Sequence, residues 1–175
     1  MYLSDVDIKK AVTDKTITIE EYEESRVQPA SYDVLLGTKF MLPESERDQV
    51  IDPVKGIQPH YRNYQVPEDG FFVLHPGVSV LAQTYERFGS DIYLITLSGK
   101  SSLARIGLLI HNTAGIVNPG HYLNMVLELY NLSHVPIILR PKMPIAQLLF
   151  SKLSSPPSQS YKDIGRYFEE NWKSY

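Results

Sequence analysis

The N-terminal stretch of the chain has the spacing of a short amphipathic helix. Ser4 opens a capping box in which an aspartate takes the place of the usual glutamate or glutamine. Ile8, Ala11 and Val12 follow as an apolar stripe at helical intervals. This pattern predicts a helix over about residues 5–13.

From residue 31 onward the apolar residues come in short runs broken by glycine, proline and asparagine. Many short runs separated by turn residues predict β-strands arranged as a sandwich, a jelly roll or a barrel. No alternation of strands with long helices appears, which argues against a parallel nucleotide-binding sheet. The candidate strands are residues 32–36, 71–74, 78–84, 92–97, 108–112, 125–131, 137–139 and 145–150.

Three segments fall outside this strand pattern. Residues 19–24 predict one further helical turn, and the polar residues 43–68, with four prolines, predict an excursion from the sheet. Residues 154–158 read Ser-Ser-Pro-Pro-Ser and mark the end of the packed domain. We therefore expect a β domain over residues 1–153 and a C-terminal tail over residues 154–175. The tail is expected to pack onto its own domain or onto a neighbouring subunit, because it carries the aromatic residues Tyr161, Tyr167, Phe168 and Trp172.

Composition narrows the chemistry. The absence of cysteine removes disulfides, thiolate zinc sites and the zinc-dependent route to base deamination. None of the five histidines has another four residues away, so we expect no zinc site. The formal net charge is −3, and lysine and arginine form no block, so an extended nucleic-acid surface is not expected. No apolar run reaches the roughly 18 residues that span a membrane, and no secretory signal is present, which predicts a cytoplasmic protein without membrane contact.

Residues 99–105 read Gly-Lys-Ser-Ser-Leu-Ala-Arg and follow a predicted strand. The segment offers two hydroxyls and two cations, and guanidinium and turn N–H groups match phosphate oxygens. It is therefore a candidate phosphate-binding loop. Taken alone, the segment is better explained by a helix N-cap at Ser101 or Ser102 with a surface arginine.

Glu128 lies in the middle of the predicted strand 125–131. Strand alternation places it on one face with Val126 and Tyr130, while leucines and a methionine occupy the other face. A carboxylate with apolar neighbours can take up and return a proton near neutrality, which suits a general base. A solvated sheet face is the commoner explanation for a single glutamate in a strand.

Two further segments are candidates for nucleotide contacts. Residues 113–120 contain Gly115, which permits close backbone approach, and the strong turn Asn-Pro-Gly at 118–120. This pattern predicts a β-hairpin that presents backbone groups to a base edge, although a hairpin forms without any ligand. Gln147 is a candidate phosphate ligand at a strand edge, where a glutamine usually has no ligand.

Taken in order, these segments resemble the dCTP deaminase branch of the dUTPase superfamily. Residues 28–37, Gln-Pro-Ala-Ser-Tyr-Asp-Val-Leu-Leu-Gly, are similar to its first motif, and the other similar segments are 74–77, 81–84, 100–108, 113–120, 126–131 and 141–150. The resemblance covers most of the chain. It implies a mainly β, dUTPase-like distorted jelly roll or β-barrel with a short N-terminal helix, assembled as a homotrimer with active sites between subunits.

The resemblance implies zinc-independent hydrolytic deamination of dCTP to dUTP and ammonia. The ligand would be a deoxynucleoside triphosphate, with dUTP or dTTP as alternatives to dCTP, and Mg²⁺ would be bound through the triphosphate and not by protein side chains. Glu128 matches the catalytic carboxylate that takes a proton from water. Ser101, Thr113 and Ala114 match positions that orient the water and the base, and Arg105 matches a position that holds phosphate and stabilises the transition state.

The remaining site residues follow from the same resemblance. Lys100 and Ser102 match phosphate positions, and Asn118 sits where the family contacts the deoxyribose. Gln147, Tyr161 and Arg166 also match phosphate positions, the last two on a tail that would close over the ligand. The resemblance further places Leu103, Ala104, Gly115, Val126, Leu127, Tyr167 and Glu170 around the nucleotide.

Several residues depart from the family pattern. Asn118 replaces an aspartate, and an amide cannot act as a base, which argues against further hydrolysis to dUMP and diphosphate. Gly115 followed by Ile116 instead resembles bifunctional members, which make dUMP directly from dCTP. Residues 121–123, His-Tyr-Leu, replace an aromatic-x-Gly sequence, and Glu170 replaces a glutamine. Three interpretations stay open: dCTP deamination with or without dUMP formation, dUTP hydrolysis alone, and an inactive nucleotide-sensing or partner-binding protein.

Overall fold

The chain folds mainly into antiparallel β-strands, which a computed structural model describes over residues 1–44 and 50–165. The helices are α1 (Asp5–Thr13), α2 (Ser101–Ala104) and α3 (Tyr161–Ile164), and Glu24–Arg26 form a turn of 3₁₀ helix. The strands are β1 (Thr18–Ile19), β2 (Val27–Gln28), β3 (Ser31–Pro43), β4 (Tyr61–Gln65), β5 (Phe72–Leu74), β6 (Ser79–Gly89), β7 (Tyr93–Gly99), β8 (Leu108–Leu109), β9 (Ile116–Val117), β10 (Tyr122–Asn131), β11 (Ile137–Leu139) and β12 (Pro144–Lys152).

Helix α1 begins at the predicted capping residue. The Ser4 hydroxyl accepts a hydrogen bond from the Asp7 N–H at 3.5 Å, which satisfies one of the free donors of the first turn. Ile8 and Ala11 are buried, and the helix lies against β2 and β3. The predicted helix is confirmed, and burial of its apolar stripe attaches it to the sheet.

Ten of the described strands form one sheet, whose main path runs β8-β10-β6-β3-β12-β7-β9. Strand β3 joins its two parts, because its first half pairs with β12 and its second half pairs with β4 and β6. Gly37 lies between these halves, where a Cβ atom would stand 3.0 Å from the backbone oxygen of Gln83. A larger residue at this position would push β3 and β6 apart.

The core lies inside the curled sheet. Its largest fully buried side chains are Tyr32, Phe40, Phe88, Phe150, Ile8, Ile17, Leu36, Met41, Leu74, Ile95, Leu97 and Leu108. All eight predicted strands occur, although several are longer or shorter than predicted. The predicted mainly β class with a short N-terminal helix is confirmed.

Two predictions about local structure are wrong. The helical turn expected over residues 19–24 is absent, since Ile19 pairs with Phe88 in β6 and the helical residues are Glu24–Arg26. The excursion expected over residues 43–68 returns to the sheet, because β4 pairs with the second half of β3. In both places, pairing with a distant strand overrides the local signal.

A buried ion pair holds the segment between α1 and β3 against β6. Arg26 donates to Glu86, whose side chain is fully buried, and to the backbone oxygen of Glu21. Burial raises the pKa of the Glu86 carboxyl from its ordinary value of 4.5, while hydrogen bonds from the Leu35 N–H and from Arg26 act in the opposite direction. Glu86 therefore depends on these two donors to stay charged.

Replacing Arg26 by methionine is expected to lower the free energy of unfolding by about 3 kcal/mol at pH 7.5, because the Glu86 carboxylate loses its buried partner. The pKa of Glu86 then rises further, so the native state keeps a proton that the unfolded chain, with a pKa of 4.5, has released. The loss of stability therefore grows as the pH rises from 4.5 through the native pKa. Urea unfolding at pH 5 and pH 7.5 measures this difference.

The matched control for this variant is Lys10→Met. Lys10 also pairs with a carboxylate, Asp14, at 2.8 Å, but both side chains are exposed. The control is expected to leave the urea midpoint nearly unchanged at both pH values. Equal losses of stability in the two variants would show that burial of the Arg26–Glu86 pair has no special importance.

Candidate active site

Glu128 projects from the centre of β10 into a cavity. Burial alternates along the whole strand, which confirms that Val126, Glu128 and Tyr130 share the less buried face. The Asn112 N–H donates a hydrogen bond to Glu128 Oε2 at 3.0 Å and fixes the carboxylate from the loop after β8. One carboxylate oxygen is thereby held by the backbone, and the other remains available to a ligand.

The cavity in front of Glu128 has a volume of about 390 Å³. Apolar side chains from β10 and β9 form most of its walls, and Glu128, Asn118 and His121 supply polar groups. Its lining residues are Leu81, Ala114, Ile116, Val117, Asn118, His121, Leu123, Met125, Val126, Glu128 and Tyr161. A mostly apolar cavity with a few convergent polar groups is typical of a small-molecule site.

The hairpin predicted over residues 113–120 is wrong. Strand β9 pairs with β7, whereas β10 pairs with β6 and β8, so the turn at 118–120 crosses between the two parts of the sheet. Gly115 does provide the predicted close approach, because a Cβ atom there would lie 2.9 Å from the Leu97 oxygen. The crossing places Ala114 and Asn118 in the same cavity as Glu128.

The candidate phosphate-binding segment forms the short helix α2 and a second cleft of about 390 Å³. The predicted N-cap at Ser101 or Ser102 is wrong, since Lys100 occupies the cap position and no side chain caps the helix. Ser101, Ser102 and Arg105 are exposed. The cleft is lined by Gly99, Lys100, Ser101, Ser102, Ala104 and Gln147.

Asp33 controls the position of Lys100. The Lys100 ammonium lies 2.6 Å from Asp33 Oδ2, and the other oxygen of this carboxyl is buried and has no hydrogen-bond partner in the described residues. Gln147 lies beside this pair, accepting from the Ser31 hydroxyl at 3.3 Å and donating to the Gly99 oxygen at 3.5 Å. Asp33 was not among the predicted site residues, although it lies within the motif at 28–37.

The two clefts share no lining residue among those that the structure describes. One chain brings Glu128 together with Ala114, Asn118, Val126 and Tyr161, but not with the segment at 100–105. Thr113 is exposed outside the cavity lining, and Gly115 is buried behind it. The Leu127 side chain is buried on the core face of β10, and Leu103 packs partly against the core.

The start of the tail packs onto its own chain. The Tyr161 ring stacks on His121, with 4.1 Å between ring centroids and 19° between planes, and Tyr161 lines the Glu128 cavity. The predicted contact of the tail with its own domain therefore holds for Tyr161. Tyr167, Phe168, Trp172, Arg166 and Glu170 lie outside the described residues.

The described residues contain neither a metal-binding cluster nor a membrane-spanning helix. No three histidine, aspartate or glutamate side chains converge in the arrangement that a metal ion needs. No helix in residues 1–44 and 50–165 is long and apolar enough to cross a membrane.

Comparison with solved structures first defines the class of fold. The chain matches the structure of 2′-deoxycytidine 5′-triphosphate deaminase from Agrobacterium tumefaciens with a TM-score of 0.65 and 19% identity, over 85% of this chain and 46% of that one. It also matches a dUTPase mutant of phage 80α with a TM-score of 0.50 and 13% identity, over 83% of this chain and 95% of that one. The fold is therefore dUTPase-like, as predicted.

Sequence comparison then gives the family. A family model described as dCTP deaminase-like matches residues 2–153. A relative from Tropheryma whipplei (strain Twist), named dCTP deaminase, dUMP-forming, is 43% identical over 162 residues, which cover 92% of this chain and 83% of the relative. A relative of the same name from Nanoarchaeum equitans is 35% identical, over the full length of both this chain and the relative. The chain belongs to the dCTP deaminase-like family.

Proposed function

We propose that this chain is a zinc-independent enzyme that converts dCTP and two waters to ammonia, dUMP and diphosphate. The main support for this proposal is the position of Glu128. The Asn112 N–H holds its carboxylate at 3.0 Å, at the wall of a cavity of about 390 Å³. A relative with 43% sequence identity over 92% of this chain bears the name dCTP deaminase, dUMP-forming. The position of Glu128 and the name of this relative together favour the full reaction over dUTP hydrolysis alone and over an inactive sensor.

The deamination step uses Glu128 as general base and then as general acid. Glu128 takes a proton from a water held by Ser101 of the partner subunit, the resulting hydroxide attacks C4 of cytosine, and Glu128 passes this proton to N3. Glu128 then takes the proton of the new C4 hydroxyl and gives it to the amino group, so that C4=O forms as the C4–N bond breaks and ammonia leaves. Thr113 and Ala114 orient the base through their backbone groups.

The triphosphate belongs in the second cleft. Ser102 and Gln147 line this cleft, and Arg105 is exposed at the end of helix α2, so that a hydroxyl, an amide and a guanidinium are available to phosphate oxygens. Lys100 supplies positive charge nearby and stays fixed to Asp33. We assign Mg²⁺ to the phosphate oxygens of the nucleotide, where it would neutralise part of the charge of the triphosphate.

A complete active site then needs two copies of the chain, which we propose assemble as a homotrimer. The Glu128 cavity and the phosphate cleft are separate within one chain. Next to Glu128, a smaller cleft of about 260 Å³ contains Leu109 and Leu132, and Leu109, Leu132 and the nearby Ile106 are exposed by 37%, 58% and 50%. Exposed apolar residues of this kind mark a surface that another protein covers. A partner copy docked there would bring its own segment at 100–105 towards Glu128.

Formation of dUMP requires a second water to attack the α-phosphate and release diphosphate. Asn118 lines the cavity but, as an amide, cannot activate this water. We assign Asn118 to a hydrogen bond with the deoxyribose, and we propose that Glu128 also serves the second attack. The cytoplasmic location predicted from the sequence stays a prediction.

Incubation with dCTP and Mg²⁺, followed over time for ammonia, dUTP, dUMP and diphosphate, tests this proposal. We expect dUMP, diphosphate and ammonia in equal amounts, with no dUTP accumulating, because both steps use the same bound nucleotide. Accumulation of dUTP with ammonia would restrict the activity to deamination. Product from dUTP but none from dCTP would make the protein a dUTP diphosphatase, and no product from either would favour a nucleotide sensor.

A further inference from the structure

Four contacts dock the start of the tail onto Asp91 and onto the turn at residues 119–121. The Tyr161 N–H donates to the Pro119 oxygen at 3.2 Å. Gly120, at a φ of +88°, lies so close to Ser160 that a Cβ atom would collide with the Ser160 hydroxyl. The Tyr161 ring stacks on His121, and the Lys162 ammonium lies 3.1 Å from Asp91 Oδ1. These contacts involve backbone, aromatic and charged groups together, so the docking is specific.

Asp91, Tyr122 and Lys162 form a group that we call the tail clamp. Lys162 lies between the Asp91 carboxylate and the Tyr122 ring, whose centroid is 5.5 Å from the ammonium. Burial raises the pKa of the Tyr122 hydroxyl, and the negative charge of the neighbouring Asp91 carboxylate raises it further. Asp91 therefore binds the tail residue of the clamp and lies close to the strand residue.

The clamp determines which cavity Tyr161 covers. Lys162 follows Tyr161 directly in helix α3, and Tyr122 follows His121 directly at the start of β10. Because Tyr161 stacks on His121, fixing Lys162 beside Tyr122 fixes the tyrosine ring at the wall of its own chain's Glu128 cavity.

We propose that Asp91 and Lys162 are positioning residues that hold the start of the tail, Tyr161–Ile164, at the wall of the same subunit's Glu128 cavity. Neither residue lines the Glu128 cavity or the phosphate cleft, so both would act through Tyr161 and not on the nucleotide itself. The expected effect on the reaction rests on the proposed function. The clamp lowers the KM for dCTP, because the start of the tail does not have to be ordered when the nucleotide binds. The clamp has no part in proton transfer, so kcat does not depend on it.

Charge exchange tests the clamp. Asp91→Lys and Lys162→Asp each replace attraction by repulsion, and each is expected to raise the KM for dCTP about fivefold with kcat changed less than about twofold. The double variant Asp91→Lys/Lys162→Asp restores an opposite-charge pair and is expected to return KM close to its original value. A merely destabilising substitution would not be rescued by the second exchange.

The matched control is Glu68→Lys. Glu68 pairs with Lys142 at 2.9 Å, and that lysine also lies 5.0 Å from the centroid of an aromatic ring, Tyr85. Both pairs are similarly exposed, but the Glu68 pair is not among the residues lining the Glu128 cavity. The control is expected to leave KM and kcat unchanged.

Amide hydrogen exchange of the protein without nucleotide tests the clamp independently of the proposed reaction. The peptide spanning 158–165 is expected to exchange faster in both single variants and at the original rate in the double variant and in Glu68→Lys. Faster exchange in a protein that does not act on dCTP would support the clamp and overturn the proposed function. Unchanged exchange and unchanged KM in the single variants, or no rescue in the double variant, would overturn the clamp.

Discussion

Replacing Glu128 by glutamine is expected to lower the rate of ammonia release from dCTP by about 10³-fold or more, since general acid–base catalysis at this position is lost. The amide keeps the shape of the side chain, and its oxygen still accepts the Asn112 N–H that holds Glu128 at 3.0 Å. It cannot take a proton from water or return one to the leaving amine. Binding of dCTP is expected to change little, because the phosphate cleft is lined by other residues.

Ammonia release and calorimetric binding of dCTP, measured on the same preparation, distinguish these effects. Glu24→Gln is the control, because it makes the same chemical change at an exposed glutamate paired with Lys9 at 2.8 Å, away from both clefts. The control should retain full activity. Undiminished ammonia release by Glu128→Gln would rule out Glu128 as the base and leave the mechanism without a proton acceptor.

The fold could be predicted from the sequence wherever local spacing agrees with tertiary pairing. Helix α1 has both a capping residue and an apolar stripe, and the predicted strand 137–139 coincides with β11. Strand β3 extends to Pro43, well beyond the predicted 32–36. The prediction stopped too early because Gly37 and the two polar residues after it interrupt the apolar run. Their place in the sheet is set by β4 and β6, which begin only at Tyr61 and Ser79.

The candidate site could be predicted only where one segment carries the whole signal. Alternation within β10 correctly gave the face of Glu128, whereas its assignment as the catalytic carboxylate came from the family resemblance and stays a prediction. Contacts between distant segments could not be predicted from the sequence. One example is the pairing of Lys100 with Asp33, two residues that are 67 positions apart. The stacking of Tyr161 on His121 was likewise hidden, because the sequence gives no distance between the tail and β10. Most of the site is made by such contacts, so residue types alone could not define its geometry.

Mixed oligomers of two inactive variants are expected to regain activity if each active site combines Glu128 of one subunit with the segment at 100–105 of another. Arg105→Ala removes the cation that we propose holds phosphate and stabilises the transition state, and we expect it to lower activity about 10²-fold or more. Within one chain the two clefts are separate, so each variant damages a different part of the site. In a random trimer made from equal amounts of Glu128→Gln and Arg105→Ala subunits, about a quarter of the sites contain both intact parts.

The two variants, produced together in equal amounts, are therefore expected to release ammonia from dCTP at about a quarter of the original rate, far more than either variant alone. Glu128→Gln mixed with Ala114→Trp is the control, because Ala114 lines the same cavity as Glu128. Tryptophan fills that cavity, and no arrangement of these two subunits supplies an intact one, so the control should stay inactive. If the mixture of Glu128→Gln and Arg105→Ala is no more active than either variant alone, Glu128 and Arg105 act in the same subunit's site. That result would contradict the proposed assembly.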